Sequence, residues 1–405
     1  MRISLATNFD DALPDLVRHF DVFELYGKLP ADIIGGGRAS FMLAPTSRRA
    51  LKRHVVACRQ AGLGFNYLLN ASCLDNREYT RTGQRRIRRL LAWLDDIGVT
   101  ALTVASPFLL RLIKAAYPGF EVRVGVFAAV NDTRRVRYWE ELGADRITLD
   151  SIQCNREFAL LREIRLAVNC RLELLASNSC LQSCPLERYH CNVLSHASQR
   201  GRPARRGVID WCLLWCSHKK ILDPVNYIRA DWIRPEDVVH YEQLGYEEFK
   251  LTERNAPTDV LVLRARAYHQ RRYDGNLLDL VQPYGFQSSG RKPPRRGPGW
   301  AARHFLQLGG VRWRALPRLY ELARQRGLLG SAGGSPVYID NRALDGFMQR
   351  FVTEGCRERD CDDCRYCHAW ADKVVQIDED WRAACLQLYR PAFEDMESGA
   401  LWNVG

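Results

Sequence analysis

Short apolar, β-branched runs recur along the first 253 residues with amphipathic stretches between them, and this alternation leaves few folds open. The runs lie at 2–9, 22–27, 64–69, 101–106, 122–130, 146–152, 171–177 and 247–253. A strand, a helical crossover and another strand imply parallel pairing. Eight such units predict an α/β fold of the (β/α)8 barrel type. A doubly wound open sheet also fits the alternation, but no glycine-rich dinucleotide fingerprint follows the first run. Helices are expected at 46–61 behind a capping Thr or Ser, at 78–97 and at 131–142, ending at Gly62, Gly98 and Gly143. The stretch 178–245 is a long insertion between the seventh and eighth strands. The organisation predicted is a barrel over 1–285 closed by a helix at 259–272, a basic Pro/Gly linker at 286–300, and a C-terminal cysteine-rich appendage at 301–405.

With 46% hydrophobic and 26% charged residues, the 405-residue chain has the balance of a globular protein. No stretch approaches the roughly 18 uninterrupted apolar residues of a membrane span, and the expected location is the cytoplasm. The net charge of +12 is densest at 199–206 (QRGRPARR) and 291–303 (RKPPRRGPGWAAR), which leaves open a solvated basic face or a surface for RNA or another anionic partner. The 14 cysteines would suggest disulfides in a short secreted chain. Here most of them cluster, which points to metal.

One cluster follows the seventh strand directly. NSCLQSCPLERYHC places Cys180 and Cys184 at the C-terminal mouth, where barrel enzymes keep their active sites. DWCLLWCSH then supplies Cys212 and Cys216 at the same four-residue offset, with His190, Cys191, His196 and His218 as further donors. Four thiolates suit a [4Fe–4S] cluster or a tetrahedral zinc. GCRERDCDDCRYCH gathers Cys356, Cys361, Cys364 and Cys367 within twelve residues, a spacing that fits a second iron–sulfur cluster or a structural zinc. Cys58, Cys154, Cys170 and Cys385 stand alone on apolar faces and read as structural.

Polar residues near the strand ends define a candidate substrate pocket at the same mouth: Glu24, Tyr26, Lys28, Arg38, Asn66, Asn70, Arg156, Asn178 and Arg254. Gly35–Gly37 with Arg38 offers backbone N–H groups and a guanidinium to a carboxylate or phosphate, although a tight turn also explains the glycines. Asp150, Glu157 and Glu253 are the candidates for proton transfer. The HExxH, GxSxG and P-loop patterns are missing, and with them the common hydrolase signatures.

NSCLQSCPLERYH, WIRPEDVVHYEQLGYEEFKLTER and AYHQRRYDGNLLDL together resemble the peptidase U32 family over about residues 1–280. YIDNRALDGF and the C-terminal cysteines resemble the tail of a shorter subgroup. The family name says protease. The resemblance implies instead, for some branches, oxygen-independent hydroxylation with a [4Fe–4S] cluster on four cysteines, and for others modification of uridine or cytidine in RNA, with prephenate linked as oxygen source in some. It implies Cys180, Cys184, Cys212 and Cys216 as ligands here. The ligand spacing departs from that of longer members, which leaves Cys212 and Cys216 open, with Cys191 the first candidate to replace one of them. The expected activity is iron–sulfur-dependent hydroxylation or a related redox modification of a small or peptide-borne substrate, with an anionic oxygen donor and an electron-donor or partner protein. RNA modification, a metallopeptidase and a non-catalytic metal scaffold are the alternatives.

Overall fold

Each of the eight runs forms a strand. The computed structural model describes residues 1–201, 209–281, 311–326, 334–356 and 359–402. Its strands β1 (Arg2–Ala6), β2 (Val22–Gly27), β3 (Gly64–Leu69), β4 (Ala101–Val104), β5 (Glu121–Val124), β6 (Arg146–Thr148), β7 (Arg171–Leu175) and β8 (Glu248–Leu251) close in sequence order into a parallel barrel. Closure sets Arg2 opposite Glu248 and Leu5 opposite Leu251. The 286–300 linker, the 291–303 basic run and residues 202–206 of the other basic run lie outside the described residues.

The crossover helices begin where the sequence offers a cap. Ser47 accepts from the Ala50 N–H ahead of the helix Arg48–Gln60, and Thr80 and Asp132 do the same for Arg81–Asp96 and Thr133–Glu141. Gly62, Gly98 and Gly143 follow these helices with positive φ, the left-handed turn that glycine enters without a Cβ penalty.

The barrel interior is charged, although small barrels are usually filled by branched apolar side chains. Glu24, 1% exposed, accepts from Ser4 Oγ at 2.5 Å, from Asn66 Nδ2 at 3.4 Å and from the Arg123 guanidinium. Arg146 pairs with Glu248 at 2.7 Å, and Glu173 accepts from Thr148 at 2.6 Å and Lys250 at 3.2 Å. Burial alone would raise Glu173, but Lys250, Arg146 and Arg123 outweigh it and hold the carboxyl below the usual range. Such charges are tolerated in a core only because each is paired.

His54, fully buried on the helix Arg48–Gln60, bonds Thr7 Oγ1 through Nε2 at 2.8 Å. Burial lowers its pKa to about 4, more than Asp11 and Asp10 raise it. A histidine depressed on folding contributes stability above its unfolded pKa of about 6.5, and that contribution is lost as pH falls through the folded value. The chain is therefore expected to lose about 2–3 kcal/mol between pH 7 and pH 4 through this residue, a component absent from His54→Gln in denaturant titrations at the two pH values.

The C-terminal segment shares the barrel's core. Val337, Ile339, Leu344, Phe347, Met348 and Phe351 pack in one continuous cluster with barrel residues. Arg234, fully buried, ties the two together by pairing with Asp237 at 2.8 Å and donating to the Asn341 carbonyl at 2.6 Å. Strands β9 (Val337–Ile339) and β10 (Val375–Ile377) form an antiparallel pair beside it. A smaller core joins Ile221 on the insertion helix Trp211–Leu222 to Leu322, Cys385, Tyr389 and Ala392 of the C-terminal helices. The C-terminal helices thus set the position of the insertion helix that carries Cys212 and Cys216. No described helix is long and apolar enough to cross a membrane.

Candidate functional site

The loop after β7 and the helix Trp211–Leu222 face one another across a cleft of about 1150 Å³, part of it open to solvent. Cys180, Cys184, Cys212 and Cys216 all line it, together with Arg38, Asn178, His190, Asp210, Lys220 and Arg326. Cys191 is not among the lining residues, so the geometry favours Cys212 and Cys216 over it. Among the described residues no three His, Cys, Asp or Glu side chains close on a single ion-sized point.

Buried Asp231 organises the loop, accepting from the Cys180 N–H at 2.8 Å and from Asn178 Nδ2 at 3.0 Å. Lys220 donates to the Ser179 carbonyl and lies against Cys216 and Cys180, while Arg326 lies near Cys216. Burial pushes Cys212 up to about 12 and raises Cys184 and Cys216 as well, so without a cation these groups stay neutral thiols. A soft metal centre displaces those protons on binding. The donor set, with two cations beside it, fits an anionic thiolate-held cluster.

Carboxylates adjoin the thiols. Asp150 caps the short helix Ser151–Cys154 and faces Arg188 at 3.6 Å. Glu187 is pushed up to about 7 by burial and by its neighbours Asp150 and Asp231. That value suits a group exchanging protons near neutrality. Sequence reading missed Glu187, Asp231 and Lys220. The available signal was Asp231 itself, a charge inside the apolar stretch NYIRADWI.

The opposite side of the mouth holds a second polar group. Lys28 pairs with Asp32 Oδ2 at 2.8 Å, and Tyr67 Oη donates to the same oxygen at 2.8 Å. Arg38 pairs with Glu253, which has the strained φ of +102° for a non-glycine residue. Arg254 lies beside Arg38, Tyr26, Glu253 and Tyr67, lowered to about 10 by burial and then by Arg38. Its Nη1, with Glu253 Oε1 and Asn70 Oδ1, is buried without a hydrogen-bond partner. Buried polar atoms left in this way are ordinarily satisfied by water or by a polar ligand.

Other predicted residues lie elsewhere. Glu24 and Asn66 belong to the interior charge network, mid-strand, and not to the mouth. Tyr26 is buried with its hydroxyl on the Leu251 carbonyl at 3.1 Å. Arg156 is sandwiched by Trp232, Phe347 and Phe351, 4.5–5.0 Å from their ring centres, and donates to the Ala230 carbonyl at 2.5 Å. Glu157 precedes the helix Phe158–Ala167 and sits with Arg156 and Gln182 around a smaller cavity. The Gly35 and Gly36 N–H groups donate to Asp32 at 2.7 Å and Ser198 at 2.8 Å, so those two are not free to bind an anion. The other cysteine group converges: Cys356, Cys361, Cys364 and Cys367 line one cavity with Arg229, Arg350 and Arg359.

Comparison with known proteins adds the family. The sequence model of peptidase family U32 matches residues 43–217, from the second crossover into the cysteine-bearing insertion. A relative from Methanocaldococcus jannaschii, the uncharacterized protease MJ1657, is 29% identical over 355 residues, covering 88% of this chain and 89% of its own. Both comparisons make the chain similar to peptidase family U32. A solved U32 structure, the U32 peptidase Mk0906, is 20% identical, covers 62% of this chain and 91% of its own, and superposes with a TM-score of 0.47. The U32 match contains all four mouth cysteines and Glu187.

Proposed function

We propose that this protein holds an iron–sulfur cluster on Cys180, Cys184, Cys212 and Cys216 and uses it for oxygen-independent hydroxylation, or a related redox modification, of a polar anionic substrate at the barrel mouth. The observation that carries the reading is the meeting of two separate thiol pairs on one cleft that opens onto the polar residues of the mouth. The cluster supplies one-electron transfer. Lys220 and Arg326 offset its negative charge, and Asp231 fixes the loop that presents Cys180. Arg254 offers an unpartnered N–H to a carboxylate on the substrate or oxygen donor. Glu187 takes or returns a proton.

Purification without oxygen, followed by iron and acid-labile sulfide analysis, tests this. Iron and sulfide in equal amounts support it; zinc without sulfide, before and after anaerobic reconstitution, overturns it. An RNA substrate would show itself by affinity that falls steeply with salt.

One observation favours peptide hydrolysis, the activity that the relative's name carries. His190 Nε2 and Asp210 Oδ2 lie 2.8 Å apart on the cleft that Cys184 and Cys212 line. A cysteine nucleophile needs its thiol pKa lowered. Burial here raises both thiols, which weighs against that reading.

A further inference from the structure

The C-terminal cysteines lie close to the mouth. Cys361 and Cys364 occupy the two ends of one short helix, Cys367 lies in the first turn of the next, and Cys356 precedes both, yet all four line one cavity of about 350 Å³, part of it open to solvent. The rings of Phe351 and Tyr366 wall it, edge-on to one another at 5.9 Å. Arg229, Arg350 and Arg359 line the same cavity, and Arg156 lies near Cys367 and Cys356. Four soft donors ringed by guanidinium groups describe a site for an anionic thiolate-bound metal centre. Outwards, Asp360, Asp362, Asp363 and Arg365 are exposed, so this group of thiols stands at the surface.

Inwards it touches the first group. Gln182 Nε2 donates to Cys356 Sγ at 3.4 Å, and Gln182 stands two residues from both Cys180 and Cys184. Two residues of chain span at most about 7 Å. Arg156 bridges the same gap, close to Cys367 and Cys356 on one side and Asp231 on the other.

From this juxtaposition we infer that Cys356, Cys361, Cys364 and Cys367 hold a second iron–sulfur cluster that passes electrons between an outside partner and the mouth cluster. A reduced one-electron donor of the iron–sulfur or flavin class is oxidised as the second cluster is reduced. That cluster is reoxidised as the electron moves to the mouth, with no bond made or broken at either centre. The occupancy of the site stands independently, whereas the relay rests on the mouth cluster proposed above.

The test compares the anaerobic parent with Cys364→Ala, Cys180→Ala and Gln182→Leu, each checked for a native circular dichroism spectrum. Roughly eight irons in the parent and four in each cysteine variant are expected. Iron unchanged in Cys364→Ala, or zinc lost from it instead, overturns the second cluster while leaving the mouth reading in place. Iron lost only from Cys364→Ala removes the mouth cluster, and with it the relay, but keeps the second site. Gln182→Leu is expected to keep all its iron while a reduced iron–sulfur protein reduces its mouth cluster severalfold more slowly, read by stopped-flow absorbance. For Cys364→Ala, reduction of the mouth cluster at the parental rate would overturn the relay.

Discussion

Cys180→Ala, Cys184→Ala, Cys212→Ala and Cys216→Ala are each expected to lose the iron of the mouth and all turnover that depends on it, while Cys191→Ala keeps both. The first four thiols line the cleft and Cys191 does not. Removing one leaves a cluster corner without a soft ligand, and the carboxylates beside it are harder donors that iron–sulfur centres do not favour. Iron and sulfide per chain measure the outcome, with far-UV circular dichroism reporting whether the fold survives. Iron retained in Cys212→Ala and lost in Cys191→Ala would exchange those two roles. A mouth that keeps its full iron content in all five variants would leave the thiols as ordinary cleft residues.

Arg123→Met is expected to destabilise the chain by about 3–5 kcal/mol, since removing one partner of a buried ion pair leaves the other charge uncompensated. Arg123 is nearly fully buried, pairs with Glu24, and reaches Glu121 at 3.0 Å. Without it Glu24 keeps only the neutral donors Ser4 and Asn66. Adding Glu24→Gln removes the stranded charge, so the double variant is expected to recover most of the loss. Denaturant midpoints at unchanged slope measure both values. A single variant within about 1 kcal/mol of the parent would mean that water reaches the barrel interior and solvates Glu24.

The barrel was legible because its signal is periodic. All eight predicted runs overlap their strands, and the errors lie at the ends, as in the fifth run, where 122–130 becomes Glu121–Val124 before a turn at Val126–Ala128. Polarity was harder to place. Glu24 and Asn66 read as mouth residues because a charge or amide in an apolar run suggests an exposed strand end, whereas both point into an interior built from charges. Arg156 followed the sixth strand closely enough to suggest the mouth, but Trp232, Phe347 and Phe351 capture it from distant parts of the chain.

The thiol pairs were visible from their spacing, because ligands on one turn or loop must lie close in sequence. Their meeting was expected from the count of four thiolates and from the family resemblance, but the contact that sets it was not legible: Ile221 packs with Leu322 and Tyr389, across more than a hundred residues. The same holds for Gln182, whose bond to Cys356 spans 174 positions. Glu187 drew no notice because its raised pKa comes from burial beside Asp150 and Asp231, none of which its local sequence encodes.

The central claim is the cluster at the mouth, and anomalous diffraction from anaerobically grown crystals tests it most directly. Data collected on either side of the iron edge are expected to place a multi-iron peak among Cys180, Cys184, Cys212 and Cys216. A peak there that appears only at the zinc edge, or none at the iron edge in crystals of reconstituted protein, would contradict it.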